Sequence, residues 1–266
     1  MSRPVALTIA GSDSSGGAGV VADLKTFEAL GVWGTVALTA VTAQNSLGVV
    51  ASHLVPPALI RAQIGAVAGD LGVDAAKTGM LGSADGVRAA AEGIRSARIT
   101  RVVVDPVLIS KHGDPLLAED AWAVVRAELL PLATVVTPNL PEAAALAGMA
   151  VEDRDAMVAA AEVLRRLGAQ VVLVKGGHLA DDESSPDLVC GADGVQWLEG
   201  RRLPMVHTHG TGCVLSAAIA AFLARGRSPR DACDQAKRFV AAAIEGAGPL
   251  GRGIGPIDPG GGGRKR

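Results

Sequence analysis

The sequence predicts an α/β fold: a central, mostly parallel sheet flanked by helices in three layers, with a small antiparallel hairpin at one edge. Three observations predict it. Short β-branched runs alternate with alanine-rich stretches of helical length, the mark of a parallel sheet covered on both faces. Apolar residues make up 49% and charged residues 20%, enough for a large core. The 266 residues fit one open α/β unit, so a single domain is expected over residues 1–250, followed by a glycine-rich basic tail, 251–266, expected to be disordered.

Taken in order, the strands are expected at 5–11, 34–43, 74–80, 101–107, 134–139 and 171–177. Helices are expected near 17–30, 56–70, 83–95, 119–129, 141–148, 153–167, 210–225 and 228–245. The "ADG" at 192–194 suggests the turn of the edge hairpin. In open sheets of this kind a ligand lies beyond the C-terminal ends of the strands, so the residues ending each strand carry the functional information.

The first strand ends in "GSDSSGGAG", whose Gly16 and Gly17 suit a close approach to a small ligand, a hinge or a surface turn. The spacing is not G-x-G-x-x-G and no phosphate-loop lysine follows, which disfavours a dinucleotide oxidoreductase. Gln44 and Asn45 follow the second strand; a primary amide there either reads the edge of a planar heterocycle or satisfies a turn. Met80 packs a ligand ring or fills the core. Asp105, expelled from its strand by Pro106, is a candidate for holding a metal-bound water, and the following "ISKHGDPLL", with Lys111, is a candidate cover. Asn139 and Glu142 have capping-box spacing, while Glu142 at a strand-to-helix junction also suits magnesium. Lys175 ends a hydrophobic strand and needs a partner, for which a phosphate is natural.

The stretch "HTHGTGCVLSAA" opens a long apolar helix. Backbone N–H groups of Gly210, Thr211, Gly212 and Cys213 at its start form an anion site if nothing else pairs them. The same position is expected to lower the thiol pKa of Cys213 and fit it as a base.

Composition excludes other classes. A net charge of −2, no Tyr, three Phe and three Trp leave no footprint for nucleic acid. No apolar run approaches the roughly 18 residues of a membrane span, and the N-terminus has no secretory core. Three irregularly spaced cysteines fit a reducing, cytoplasmic setting.

In combination, "TIAGSDSSGGAGVVADLKTFEALG", "TAVTAQNSLGV", "KTGMLGS", "DPV", "TPNLPEA", "VKGGH" and "HTHGTGCVLSAA" resemble the hydroxymethylpyrimidine/phosphomethylpyrimidine kinases of thiamine synthesis, in the ribokinase-like superfamily. The match runs in order from residue 4 to about residue 246. The resemblance implies a ribokinase-like homodimer that uses ATP and Mg2+. It implies that Gln44 pairs with an aminopyrimidine, aided by Gly11 and Asp23, with Met80 and Val107 against the ring. Asn139 and Glu142 resemble the magnesium and phosphate element, assisted by Asp105, with Lys175 and Thr208 toward the nucleotide. Residues 210–213 resemble the anion hole, with Cys213 as base, helped by His209. Related pyridoxal kinases pair that cysteine with a second one in the lid; Ser110 stands there in this chain.

Overall fold

The computed structural model describes residues 3–107, 119–177, 179 and 183–261. Strand β1 (Val5–Ala10) is followed by helix α1 (Gly19–Ala29) and by β2 (Trp33–Leu38), which lies parallel beside β1. The chain then leaves the sheet as an antiparallel pair, β3 (Ala40–Asn45) and β4 (Gly48–Leu54). Helix α2 (Pro57–Asp70), β5 (Ala75–Thr78), α3 (Ala84–Ser96) and β6 (Val102–Val104) return to it. Helix α4 (Glu119–Val124) continues through a π turn (Val125–Leu129) and a 3-10 turn (Leu130–Leu132) into β7 (Val135–Val136). Helices α5 (Leu140–Ala147) and α6 (Arg154–Arg166) precede β8 (Val171–Val174) and the edge hairpin β9 (Asp187–Gly191) and β10 (Gly194–Leu198). Helices α7 (Thr211–Ala224) and α8 (Pro229–Glu245) follow.

The main sheet has the order β10-β9-β8-β7-β6-β5-β1-β2. Its strands run parallel from β2 to β8, and β9 and β10 turn antiparallel at the edge, as expected from "ADG". Val102–Val104 and, in β8, Val171, Val172, Leu173 and Val174 are buried because helices cover both faces of the sheet. On one face Leu7, Ile9, Ile94 and Leu164 share a core; on the other Phe27, Val214 and Ile219 share a second. Helix α7 is buried on nearly every side, which explains its unbroken apolar sequence. Each fully buried Leu, Ile or Phe in these layers contributes roughly 1.5–3 kcal/mol.

Two expectations are corrected. The strand expected at 34–43 is two strands in two sheets. Thr39 separates them: its N–H bonds Ala10 O, its hydroxyl bonds Met80 O, and its carbonyl accepts from Val55. The tail expected to be disordered from residue 251 is packed as far as residue 261, with Ile257 buried and Asp258 N–H bonded to Ala243 O. Ile257 inserts in the apolar layer, and hydrogen bonds from the N–H groups of Gly253, Gly255, Ile257 and Asp258 hold the glycines around it. Residues 262–266, and the candidate cover at 109–117 with Ser110 and Lys111, lie outside the described residues.

Candidate active site

The C-terminal ends of β1, β5, β6, β7 and β8 open, with the β3–β4 hairpin and the start of α7, into one cleft of about 1560 Å³. That volume exceeds the roughly 300–1,000 Å³ of a single small-ligand pocket, so two ligands fit side by side. Gly11, Gln44, Met80 and Val107 line one end, and Val240, Ala241 and Ile244 of α8 line the other. Between them stand Asp105, Lys175, Glu142 and residues 208–213.

A bulge places Gln44. Pairing shifts between Ala43 and Gln44, leaving Val50 as the extra residue on β4, so that Gln44 lies opposite Val49 and both line the cleft. Asn45 instead serves the turn, its side chain accepting from Leu47 N–H at 2.9 Å. A Cβ on Gly11 would lie 2.3 Å from the Met80 methyl group, so a side chain there would displace the end of Met80.

At the start of α7, Gly210 adopts φ +82, and a Cβ on it would lie 1.9 Å from Gly17 O. Only glycine fits. No side chain caps this helix among the described residues, and the N–H groups of Gly212 and Cys213 find no backbone partner there. The expected set of four open amides narrows, because Thr211 N–H is bonded to Thr208 O at 3.4 Å. A Cβ built on Gly212 would lie 3.7 Å from Lys175 Nζ and 3.8 Å from Asp105 Oδ2, so the open amides, the cation and the carboxylate share one small volume.

Lys175 Nζ is 3.3 Å from Asp105 Oδ1 and 3.6 Å from Glu142 Oε2. Burial alone would lower its pKa, but the two carboxylates overcome that and hold the ammonium above its usual range. Asp105 also accepts from Thr137 at 3.2 Å and from Ser216 of α7 at 3.1 Å. Glu142 completes the capping box: Asn139 Oδ1 accepts from Glu142 N–H and Glu142 Oε2 accepts from Asn139 N–H, both at 2.8 Å. Asn139 therefore both caps α5 and lines the cleft.

The remaining expectations are corrected by burial and pairing. Asp23 has no exposed surface and does not line the cleft. It faces down onto the sheet, where Lys77 Nζ donates to its two oxygens at 2.9 and 2.8 Å and Thr8 donates at 2.6 Å. Burial pushes the Asp23 carboxyl up and these partners pull it back; at such distances we assign the ionised pair. Lys77, passed over in the sequence, lines the cleft floor although fully buried. The Cys213 thiol is not lowered by its helix terminus: burial pushes it up to about 11, with the Lys77 charge the main opposing influence and the Gly19 N–H a lesser one. His209, expected beside the thiol, instead directs Nε2 to Asp13 Oδ2 at 2.8 Å.

Hard oxygen donors, few in number and beside an anion hole, suit a divalent cation that keeps most of its waters. Asp105 and Glu142 supply them, and the described residues hold no cluster of three or more such ligands.

Comparison with known proteins decides the family. The phosphomethylpyrimidine kinase family model matches residues 13–258. The chain belongs to that family. A hydroxymethylpyrimidine/phosphomethylpyrimidine kinase of Streptomyces coelicolor is 50% identical over 257 residues, covering 97% of this chain and 94% of the relative. Among solved structures, a phosphomethylpyrimidine kinase from Clostridium difficile has a TM-score of 0.81 at 38% identity, covering 91% of this chain and all of that one. The pyridoxal kinase of Staphylococcus aureus in complex with ADP has a TM-score of 0.92 at 37% identity, covering 99% and 96%. The fold is thus that of ribokinase-like kinases.

Proposed function

We propose that this chain uses ATP to phosphorylate the hydroxymethyl group of 4-amino-5-hydroxymethyl-2-methylpyrimidine, and then the resulting monophosphate to the diphosphate, in thiamine diphosphate synthesis. The observation that carries the residue assignments is the convergence of Gln44, Lys175 and the open amides of α7 on one cleft. The Gln44 amide pairs with the aminopyrimidine edge, offering a donor and an acceptor together. Gly11, Met80 and Val107 frame the ring. Asp23 supports this end from below through Lys77 rather than by contact.

The phosphoryl donor lies along the other side, its phosphates against Thr208, Asn139 and Lys175 and its γ-phosphate on Gly212 and Cys213 N–H. The hydroxymethyl oxygen forms the new bond to phosphorus as the bond to the β,γ-bridging oxygen breaks and ADP departs. The hydroxyl proton goes to Cys213 Sγ, the reactive thiolate being the minor form at neutral pH. Asp105 and Glu142 would hold Mg2+, which when bound neutralises phosphate charge. Gly210 and Thr211 fix the turn that aims the amides, and helix α7 with Lys175 stabilises negative charge through positions set before the reaction. We further propose that the protein acts in the cytoplasm as a homodimer.

The test is direct. With ATP and Mg2+, the purified chain is expected to convert the pyrimidine alcohol to mono- and then diphosphate, read by 31P NMR. ATP consumption that the alcohol does not stimulate would overturn the reading. The likeness to a pyridoxal kinase favours one second reading, a pyridoxal kinase activity. Comparing kcat/KM for the two alcohols ranks them.

A further inference from the structure

Asp13 and His209 form a buried pair that the proposed reaction does not use. Asp13 lies two residues beyond Gly11 and is 2% exposed. Its Oδ1 accepts from Ser15 N–H at 2.8 Å and from the Ser15 hydroxyl at 2.7 Å, while Oδ2 meets His209 Nε2 at 2.8 Å. Both carboxylate oxygens are thus committed to protein partners. His209 directly precedes Gly210, and its backbone is held as well: its N–H bonds Gly255 O at 3.0 Å and its carbonyl accepts from Ile257 N–H at 3.1 Å. Residue 209 is therefore fixed at ring, N–H and C=O.

The same contact joins two loops with different ligands. The loop after β1 begins at Gly11 in the pyrimidine pocket, and is tied to the β3–β4 hairpin by Ser12 and Thr42, whose hydroxyl donates to Ser12 O at 2.8 Å. The loop before α7 carries the open amides. They interlock at two glycines: a Cβ on Gly17 would lie 2.6 Å from His209 Cδ2, and one on Gly210 would strike Gly17 O. Packed this closely, the loops leave the Asp13–His209 pair as a side-chain strut between the acceptor site and the phosphate site.

We infer that Asp13 is a positioning residue for the anion hole, acting through His209. Removing either partner lets the α7 amides shift against the pyrimidine while both ligands still bind. The inference rests on the kinase reading, and wild-type turnover tests that reading first. If the wild type does not phosphorylate the alcohol, the kinase reading fails; if it does, the variants judge Asp13 alone.

The experiment is a double-mutant cycle with Asp13→Ala, His209→Ala and both together, measuring kcat, the two KM values and the thermal midpoint. A misplacement of the order of 1 Å costs on the order of 100-fold in rate. Each single variant is expected to lose about that in kcat with KM values within about threefold, and the double variant is expected to lose no more than the worse single. Asp13→Asn, whose one oxygen can still meet the ring while its NH2 is left facing the Ser15 N–H, is expected to recover part of the rate lost by Asp13→Ala. Multiplying losses, a raised pyrimidine KM at unchanged kcat, or rates that fall only in step with the thermal midpoint would each overturn the assignment. Should the alanine variants fail to fold, Asp13→Leu and His209→Phe, which keep bulk but cannot make the contact, carry the same cycle and are judged by the same outcomes.

Discussion

Cys213 and Lys77 show how far residue chemistry follows from neighbours in sequence. A helix start and a preceding glycine identify the cysteine, but its titration is set by burial and by Lys77, on a strand 136 positions earlier (213 − 77). Lys77 could be found from one signal: a lysine within "DAAKTGM", in a strand too short and too buried to solvate it, demands a carboxylate. Which carboxylate depends on α1 crossing the sheet, and Asp23 meets it there. The pair also shows why Asp23, which the family resemblance places at the ligand, is instead buried beneath it. Lys77→Met is expected to leave Asp23 buried without its cation, at a cost of about 3–5 kcal/mol by chemical denaturation. The sign of the thiol titration follows from the raised pKa. Below about 11 the thiolate is the minor form, so its alkylation by iodoacetamide should rise about tenfold per pH unit from pH 8 to 10. Lys77→Met removes the stabilising cation and should slow alkylation at each pH; an unchanged rate would separate Lys77 from the thiol.

Element boundaries were legible wherever a local rule sets them. Ser83, Asp153 and Ser228 cap α3, α6 and α8, each accepting from a backbone N–H three residues on. Asn139 and Glu142 form the capping box that the spacing allowed, and both line the cleft. The break at Thr39 was not legible, because "VALTAVTA" contains neither proline nor glycine and keeps its β-branched character throughout. What ends β2 is distant: the Gln63 side chain bonds both N–H and carbonyl of Leu38. The break gives the β3–β4 hairpin two faces. Val49 looks into the cleft, while Val41 and Val50 are 52% and 79% exposed on the outside. We assign this apolar face to the proposed homodimer. Val50→Glu is expected to weaken the dimer at least tenfold in sedimentation velocity; an unaltered assembly would place the contact elsewhere.

At the scale of the whole molecule, the fold brings residues from Gly11 to Ile244 to one edge of the sheet, and that edge was readable before the fold because its candidate residues sit where strands end or helices begin. The relative placement of the two ligand sites was not readable. It depends on glycines 17 and 210 meeting backbone to backbone and on a C-terminal segment that composition alone assigns to disorder. Burying α7 between sheet and α8 is what holds its first turn rigid at the centre of the cleft. Gly212→Ala tests this arrangement most directly, since a Cβ there touches nothing closer than 3.7 Å and projects toward Lys175 and Asp105. The variant is expected to keep its thermal midpoint within about 2 °C, a change under about 1 kcal/mol, and to lose on the order of 100-fold or more in kcat for the pyrimidine alcohol, because the added methyl group stands where the phosphoryl group is proposed to lie and displaces it from the amides. Full turnover in a folded Gly212→Ala protein would contradict the account, because the transferred phosphoryl group would then lie somewhere other than on the start of α7.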